Sequence, residues 1–195
     1  AHENLAYASA LYSQYASVHG GLSENERPTW LDRSRFAAER ALQLDPLLAE
    51  AHTAVGLINW FRVDLKDAET AFMRALQLNP NEPQANQWLG MVLSGQADRV
   101  DEAIGFSFRA VTLDPKSPII ICDYGDVLNN AGHFDEALAQ YQRAVAIEPR
   151  FAKGYRRLGD QAIRFGRLDQ AILALHKVQA IEPDEWSVPI RLGDV

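Results

Sequence analysis

Apolar side chains recur at three- and four-residue intervals, in blocks separated by short polar turns, which is the pattern of amphipathic helices rather than of strands. It predicts helix pairs at 49–61 and 65–78, 83–94 and 100–113, 118–131 and 134–147, and 152–165 and 168–181. The segment 118–149 shows the unit most plainly: a helix, a tight turn, a second helix and a closing Glu148-Pro149. Upstream, residues 3–18 carry a helical apolar pattern, and His19 to Pro28 form a connection longer than the other turns. There Gly20-Gly21 breaks the helix, and Ser23 with Glu26 has the spacing of a capping box for a helix running to about Leu44.

The pairs repeat. Pro46, Pro80, Pro115, Pro149 and Pro183 are separated by 34, 35, 34 and 34 residues, and each follows Asp, Asn or Glu. Small residues stand at fixed distances before them: Ser34, Ala68, Ala103, Ala137 and Ala171, then Ala41, Ala75, Ala110, Ala144 and Val178. Gly56, Gly90, Gly125 and Gly159 mark the middle of each first helix. Two antiparallel helices approach closely only where side chains are small, and large ones such as Phe72, Tyr141 and Leu175 then fill the gaps between units. Proline has no N–H and cannot continue a helix, so each one closes a pair. A single pair cannot bury its apolar face alone, so the units must stack.

On these residues the chain resembles the tetratricopeptide repeat (TPR) family. The resemblance implies an all-α fold, a right-handed superhelix of five helix-turn-helix repeats plus a truncated sixth. The divisions are a degenerate repeat 1 at 3–46 with its long loop at 19–28, then repeats at 49–80, 83–115, 118–149 and 152–183, and a partial one at 186–195. Arg191-Leu192-Gly193-Asp194 echoes Arg157-Leu158-Gly159-Asp160, so the sequence reads as part of a longer protein. A weaker similarity, at residues 41–61 with the preceding tyrosine-rich helix and long loop, is to the TPR region of multidomain bacterial regulators with winged-helix or nucleotide-cyclase outputs.

With 47% apolar residues, the 195-residue chain can bury an elongated core. A net charge of −7 and a pI near 5.2 argue against generic nucleic-acid binding, which needs a basic footprint. Cys122, the one cysteine, excludes an internal disulfide framework. No apolar run is long enough to span a bilayer; the compartment is left open, with cytoplasm favoured over periplasm. The acid pairs Asp101-Glu102 and Asp135-Glu136 open second helices, where they meet the positive end of the helix dipole rather than doing acid–base work. The five histidines share no metal-ligand spacing, and no phosphate-binding glycine loop occurs. The expectation is therefore a non-enzymatic module without cofactor or metal.

In the proteins it resembles, the first helix of each repeat lines a concave groove that takes extended peptides or partner helices. Helical spacing then nominates Thr53, Leu57, Trp60 and Phe61, Gln87 and Met91, Asp126, Asn129 and Asn130, and Lys153, Arg156, Arg157 and Arg164. This face would grade from apolar and aromatic to cationic, attracting a protein or peptide ligand with acidic residues. Trp60-Phe61 has core packing as its alternative, and the basic residues have a solvated helix face. Lys153 and Arg157 match one helix of the carboxylate clamp of TPR co-chaperones, but Gln87, Met91 and Asp123 replace its other members. The asparagine ladder of sugar-transferase arrays is replaced by Ala54, Trp88, Asp123 and Arg157. Self-association through the cut C-terminal repeat, or service as a regulatory arm, are the alternative roles.

Overall fold

The computed structural model describes residues 27–183. Among the described residues there are nine α-helices and no strand. α1 (Arg27–Leu44) precedes four pairs: α2 (Ala49–Phe61) with α3 (Leu65–Leu78), α4 (Pro83–Leu93) with α5 (Val100–Leu113), α6 (Pro118–Asn130) with α7 (Phe134–Ile147), and α8 (Ala152–Arg164) with α9 (Leu168–Ile181). The first helix of repeat 1, its Ser23–Glu26 capping box and the partial sixth repeat lie outside the described residues. The remaining expected helices agree with the observed ones to within one residue at either end.

Each second helix stops two residues before its proline, at Leu78, Leu113 and Ile147. The residue between is extended or nearly so (ψ 92° at Asn79, 80° at Asp114, 98° at Glu148), because the proline ring disfavours helical geometry in the residue before it. The acid pairs fall in the first turns of α5 and α7, as the dipole reading requires. The extra residue of repeat 3 is taken up by a 3-10 turn, Ala97–Arg99. Arg99 anchors it, forking onto Glu102 at 2.8 and 3.2 Å and reaching back to Glu69 of α3.

The small-residue ladder is the core. Ala68, Ala75, Ala103, Ala110, Ala137, Ala144 and Ala171 are fully buried, and Phe72, Tyr141 and Leu175 fill the space beside them. A methyl added at Gly56 would meet the Phe72 ring at 2.5 Å, and one at Gly125 the Tyr141 ring at 2.6 Å. At Gly90 it would meet the Ser107 hydroxyl at 2.1 Å and the Ala103 carbonyl at 2.9 Å. Gly159 is looser, with Leu175 at 3.4 Å. The turns between paired helices use left-handed backbone at Gly132 and Gly166, but the matching place after α2 is held by Val63 at φ 66°. A β-branched residue pays for that conformation with steric strain.

Consecutive first helices touch one another (α2 with α4, α4 with α6, α6 with α8), whereas consecutive second helices do not to any comparable extent. The first helices therefore form the inner, concave wall and the second helices the outer one. Glu82 sits where the chain enters the inner wall. Only 6% exposed, it turns toward Thr53 of α2 instead of capping α4, and its Oε2 has no hydrogen-bond partner. Burial raises its pKa to about 7; the Thr53 hydroxyl opposes that rise and the Glu50 charge adds to it.

Two outcomes test this packing. Gly90→Ala should cost roughly 1–3 kcal/mol, since a backbone carbonyl blocks the new methyl. Gly159→Ala should be neutral or gain up to about 1 kcal/mol from helix propensity. Thermal melts of both variants check the pair, and equal melting would refute the register. Glu82 is proton-bound in the folded state at pH values where the unfolded chain has released it. Its stabilising contribution is thus full below about pH 4.5 and lost as pH rises through about 7, by up to about 3 kcal/mol. Glu82→Gln should flatten that part of the stability–pH profile, with the difference from the parent growing between pH 5 and about 7.5.

Candidate functional site

A cleft of about 420 Å3 opens on the concave wall between α4, α6 and α8. Met91 lines it from α4, Asp126, Asn129 and Asn130 from α6, and Arg157, Asp160, Gln161 and Arg164 from α8, with Tyr141 of α7 beneath. Six of the thirteen residues nominated from sequence thus meet in one place: Met91, Asp126, Asn129, Asn130, Arg157 and Arg164.

The floor is a charge network joining three repeats. Gln87 donates its amide to Asp123 at 2.5 Å, and Lys153 pairs with Asp123 and lies 3.5 Å from Asp126. Arg157 approaches Asp126 at 2.7 Å and Asp160 at 3.5 Å, and Tyr141 donates its hydroxyl to Asp126 at 3.0 Å. Burial pulls Lys153 toward its neutral form, but the Asp123 and Asp126 charges outweigh it and hold its pKa above the ordinary value. Arg157 is likewise held up by Asp126 against burial, and burial beside Asp126 pushes the Tyr141 phenol up. Burial also drives the Cys122 thiol far above its usual range, so this fully buried group stays a thiol and is no nucleophile.

Two expectations need correction. Thr53 and Gln87 do not line an open groove. Thr53 is 3% exposed with its hydroxyl bonded to the Ala49 carbonyl at 3.3 Å, and Gln87 is 2% exposed with its amide on Asp123. Helix spacing places them on the side where neighbouring first helices touch. Nor are the cations of repeat 5 a free attractive island. Lys153 and Arg157 are matched by Asp123, Asp126 and Asp160, and Arg156 pairs with Glu182 just beyond α9. Apart from Asp160, three residues from Arg157, these partners stand 26 to 31 residues away, where sequence neighbours do not reveal them. Arg164 differs: it is exposed and lies over the Phe134 ring at 5.0 Å, a contact that does not neutralise its charge as a carboxylate would.

The remaining nominated residues form the other end of the wall. Trp60 and Trp88 have ring centroids 5.6 Å apart, Phe61 meets Trp88 edge-on at 6.4 Å, and Leu57 and Met91 lie against the same core cluster as the two tryptophans. All five are half-buried, so packing and exposure coexist there. Trp88 was not nominated, although it shares its register with Arg157, two residues before the repeat glycine. Tyr141 and Gln161 were also missed: the first reads as a spacer on an outer helix, the second as one more polar helix residue. Their hydrogen bonds, to Asp126 at 3.0 Å and to Asn129 at 3.2 Å, reach into the cleft. Asn130 ties α6 to α4 through Ser94 at 3.4 Å.

A second groove of about 360 Å3 lies on the outer side between α7 and α9, lined chiefly by Leu138, Tyr155, Leu158, Phe165 and Leu173. Gln142, Gln161, Arg167, Gln170 and Lys177 also border it, but a larger part of its lining is apolar than in the inner cleft. Among the described residues no group of His, Cys, Asp and Glu is placed to hold a metal, and no helix is long and apolar enough to cross a membrane.

Residues 125–160, from the repeat glycine of α6 to the concave Asp160, match the family model described as TPR repeat. Among solved structures, TTC0263, a thermophilic TPR protein of Thermus thermophilus, superposes with a TM-score of 0.79 at 19% identity, covering 99% of this chain and 97% of that one. PilW, a type IV pilus biogenesis factor, gives 0.73 at 21% over 98% and 87%. YrrB, a TPR protein with an unusual peptide-binding site, gives 0.62 at 24% over 98% and 91%. The fold is the TPR solenoid. At these identities the likeness concerns architecture, and no curated protein sequence matches the chain. Within a TPR solenoid the concave wall is the surface built from the most repeats at once, and here it carries the cleft.

Proposed function

We propose that this TPR solenoid is a non-enzymatic scaffold that binds a protein segment in extended form along its concave wall. One observation carries the reading: Met91, Asn129, Asn130, Arg157 and Arg164, from three successive first helices, converge on a single open cleft. Amide side chains that can both donate and accept suit a peptide backbone, which offers both groups at every residue. The solved structure of YrrB, a TPR protein with an unusual peptide-binding site, supports the reading by similarity of fold. The cleft has no nucleophile beside a base, and its carboxylates are occupied by cations, which supports binding over catalysis.

The test is a screen of the 195-residue protein against an array of short peptides, with Asn129→Ala and Met91→Glu in parallel. Selective binders should appear and should weaken about tenfold in each variant while thermal melting changes little. A folded protein with no selective binder would count against the groove.

A second reading, self-association, rests on the α9 end. Ile172 and Leu168 are 36% and 47% exposed, whereas Leu138, Ile104, Phe134 and Val100 at the matching positions of the two preceding repeats are half-buried; Leu65, the counterpart of Leu168 in repeat 2, is 43% exposed. If that face pairs with a second copy, sedimentation should show concentration-dependent dimer, reduced in Ile172→Glu. A monomer at all concentrations removes this reading.

A further inference from the structure

The concave wall uses the same few register positions in every repeat, yet fills them with two chemistries. Four residues after the repeat glycine stand Trp60, Ser94, Asn129 and Ile163; five after stand Phe61, Gly95, Asn130 and Arg164. Two before it stand Ala54, Trp88, Asp123 and Arg157. The positions that give hydrogen bonds and charge at α6 and α8 therefore give aromatic rings at α2 and α4. Because Asn129, Asn130, Arg157 and Arg164 line the cleft, register places Trp60, Phe61 and Trp88 on the same continuous inner wall.

The charge at the cleft end is narrower than its composition suggests. The cleft carries Asp126 and Asp160 against Arg157 and Arg164, and Asp126 is already engaged by Arg157, Tyr141 and Lys153. Asp160 faces Arg157 at 3.5 Å. Arg164, exposed over the Phe134 ring, is the cleft cation with charge to offer at the rim.

Resting on the concave-groove reading above, we infer a bipartite recognition rule: the preferred partner is an extended peptide with an aromatic side chain on the Trp60–Trp88 patch and a carboxylate on Arg164. Helices pack roughly 8–10 Å apart, so two steps from α4 to α8 span about 20 Å. Register adds about 10 Å along the helix between Trp88 and Arg164. An extended chain advances about 3.3 Å per residue, which separates the two anchors by roughly six or seven residues. Asn129 and Asn130, between them, face the intervening peptide backbone. The carboxylate is an acidic side chain or a chain terminus.

The test uses fluorescein-labelled peptides with one Trp and one Glu at separations from two to eleven residues in a Gly/Ser background, read by anisotropy at low salt. Affinity should peak near six or seven, with the Glu improving binding roughly two- to fivefold over Gln at that separation and less at others. Arg164→Ala should remove the peak without removing Trp-dependent binding, and Arg164→Lys should restore much of it. A parallel series ending in Trp and a free C-terminal carboxylate distinguishes side chain from terminus. Binding that is equal at all separations, or a peak that survives Arg164→Ala, overturns the rule while leaving the groove reading in place. No binding of any peptide by the folded protein overturns both.

Discussion

The structure depends on how closely the two helices of a pair approach. Gly56, Gly90 and Gly125 leave no room for even a methyl group, and the buried alanines opposite extend that contact along each helix. Close approach makes the pair thin, so its large apolar residues pack on the glycine of their own pair and also reach the next one. That is why the core is a row of clusters from Phe72 through Tyr141 to Leu175 rather than one centre. Curvature follows from the same constraint: first helices touch their successors while second helices splay, so one wall becomes concave.

The charge network on that wall is costly to build. Asp123 and Lys153 are nearly buried, and such pairs add little net stability because both ions lose water. Their effect is on pairing. Left without Lys153, an Asp123 carboxylate this deeply buried would be uncompensated, at a cost of several kcal/mol. Gln87, Asp123, Lys153, Asp126 and Arg157 thus fix α4, α6 and α8 relative to one another, and with them the width of the cleft. Fixing the wall also engages its charges, so Asn129, Asn130, Met91 and Arg164 are the cleft residues that stand outside the network.

Helix limits and pairing were legible in the sequence because they follow from local rules: apolar period, small-residue spacing, and proline after an acid or amide. The cleft was legible in part. Met91, Asn129 and Arg164 follow from helical spacing alone. The state of Lys153, Arg156 and Arg157 does not, because each is decided by a carboxylate roughly one repeat away whose side-chain reach no local pattern encodes. Thr53 and Gln87 were misplaced for a related reason: spacing finds a face of the helix, but only neighbouring helices determine how much of that face is open.

The steric ladder and the lining of the concave wall consequently use different positions of the same repeat. The glycine, the alanines and the proline recur with little variation, since each answers a steric demand that every unit shares. The places one, four and five after the glycine answer no such demand and range from Leu57, Trp60 and Phe61 to Asp160, Ile163 and Arg164. Tyr141 joins the two codes: its ring packs against Gly125 while its hydroxyl holds Asp126, so it both spaces the helices and sets a cleft residue. Glu82 occupies an entry position held by Ser117 and Phe151 in later repeats, where no common geometry demands a carboxyl. Its burial beside Thr53, with one oxygen unpartnered, puts a carboxyl whose pKa is raised to about 7 at the junction of α2 and α4.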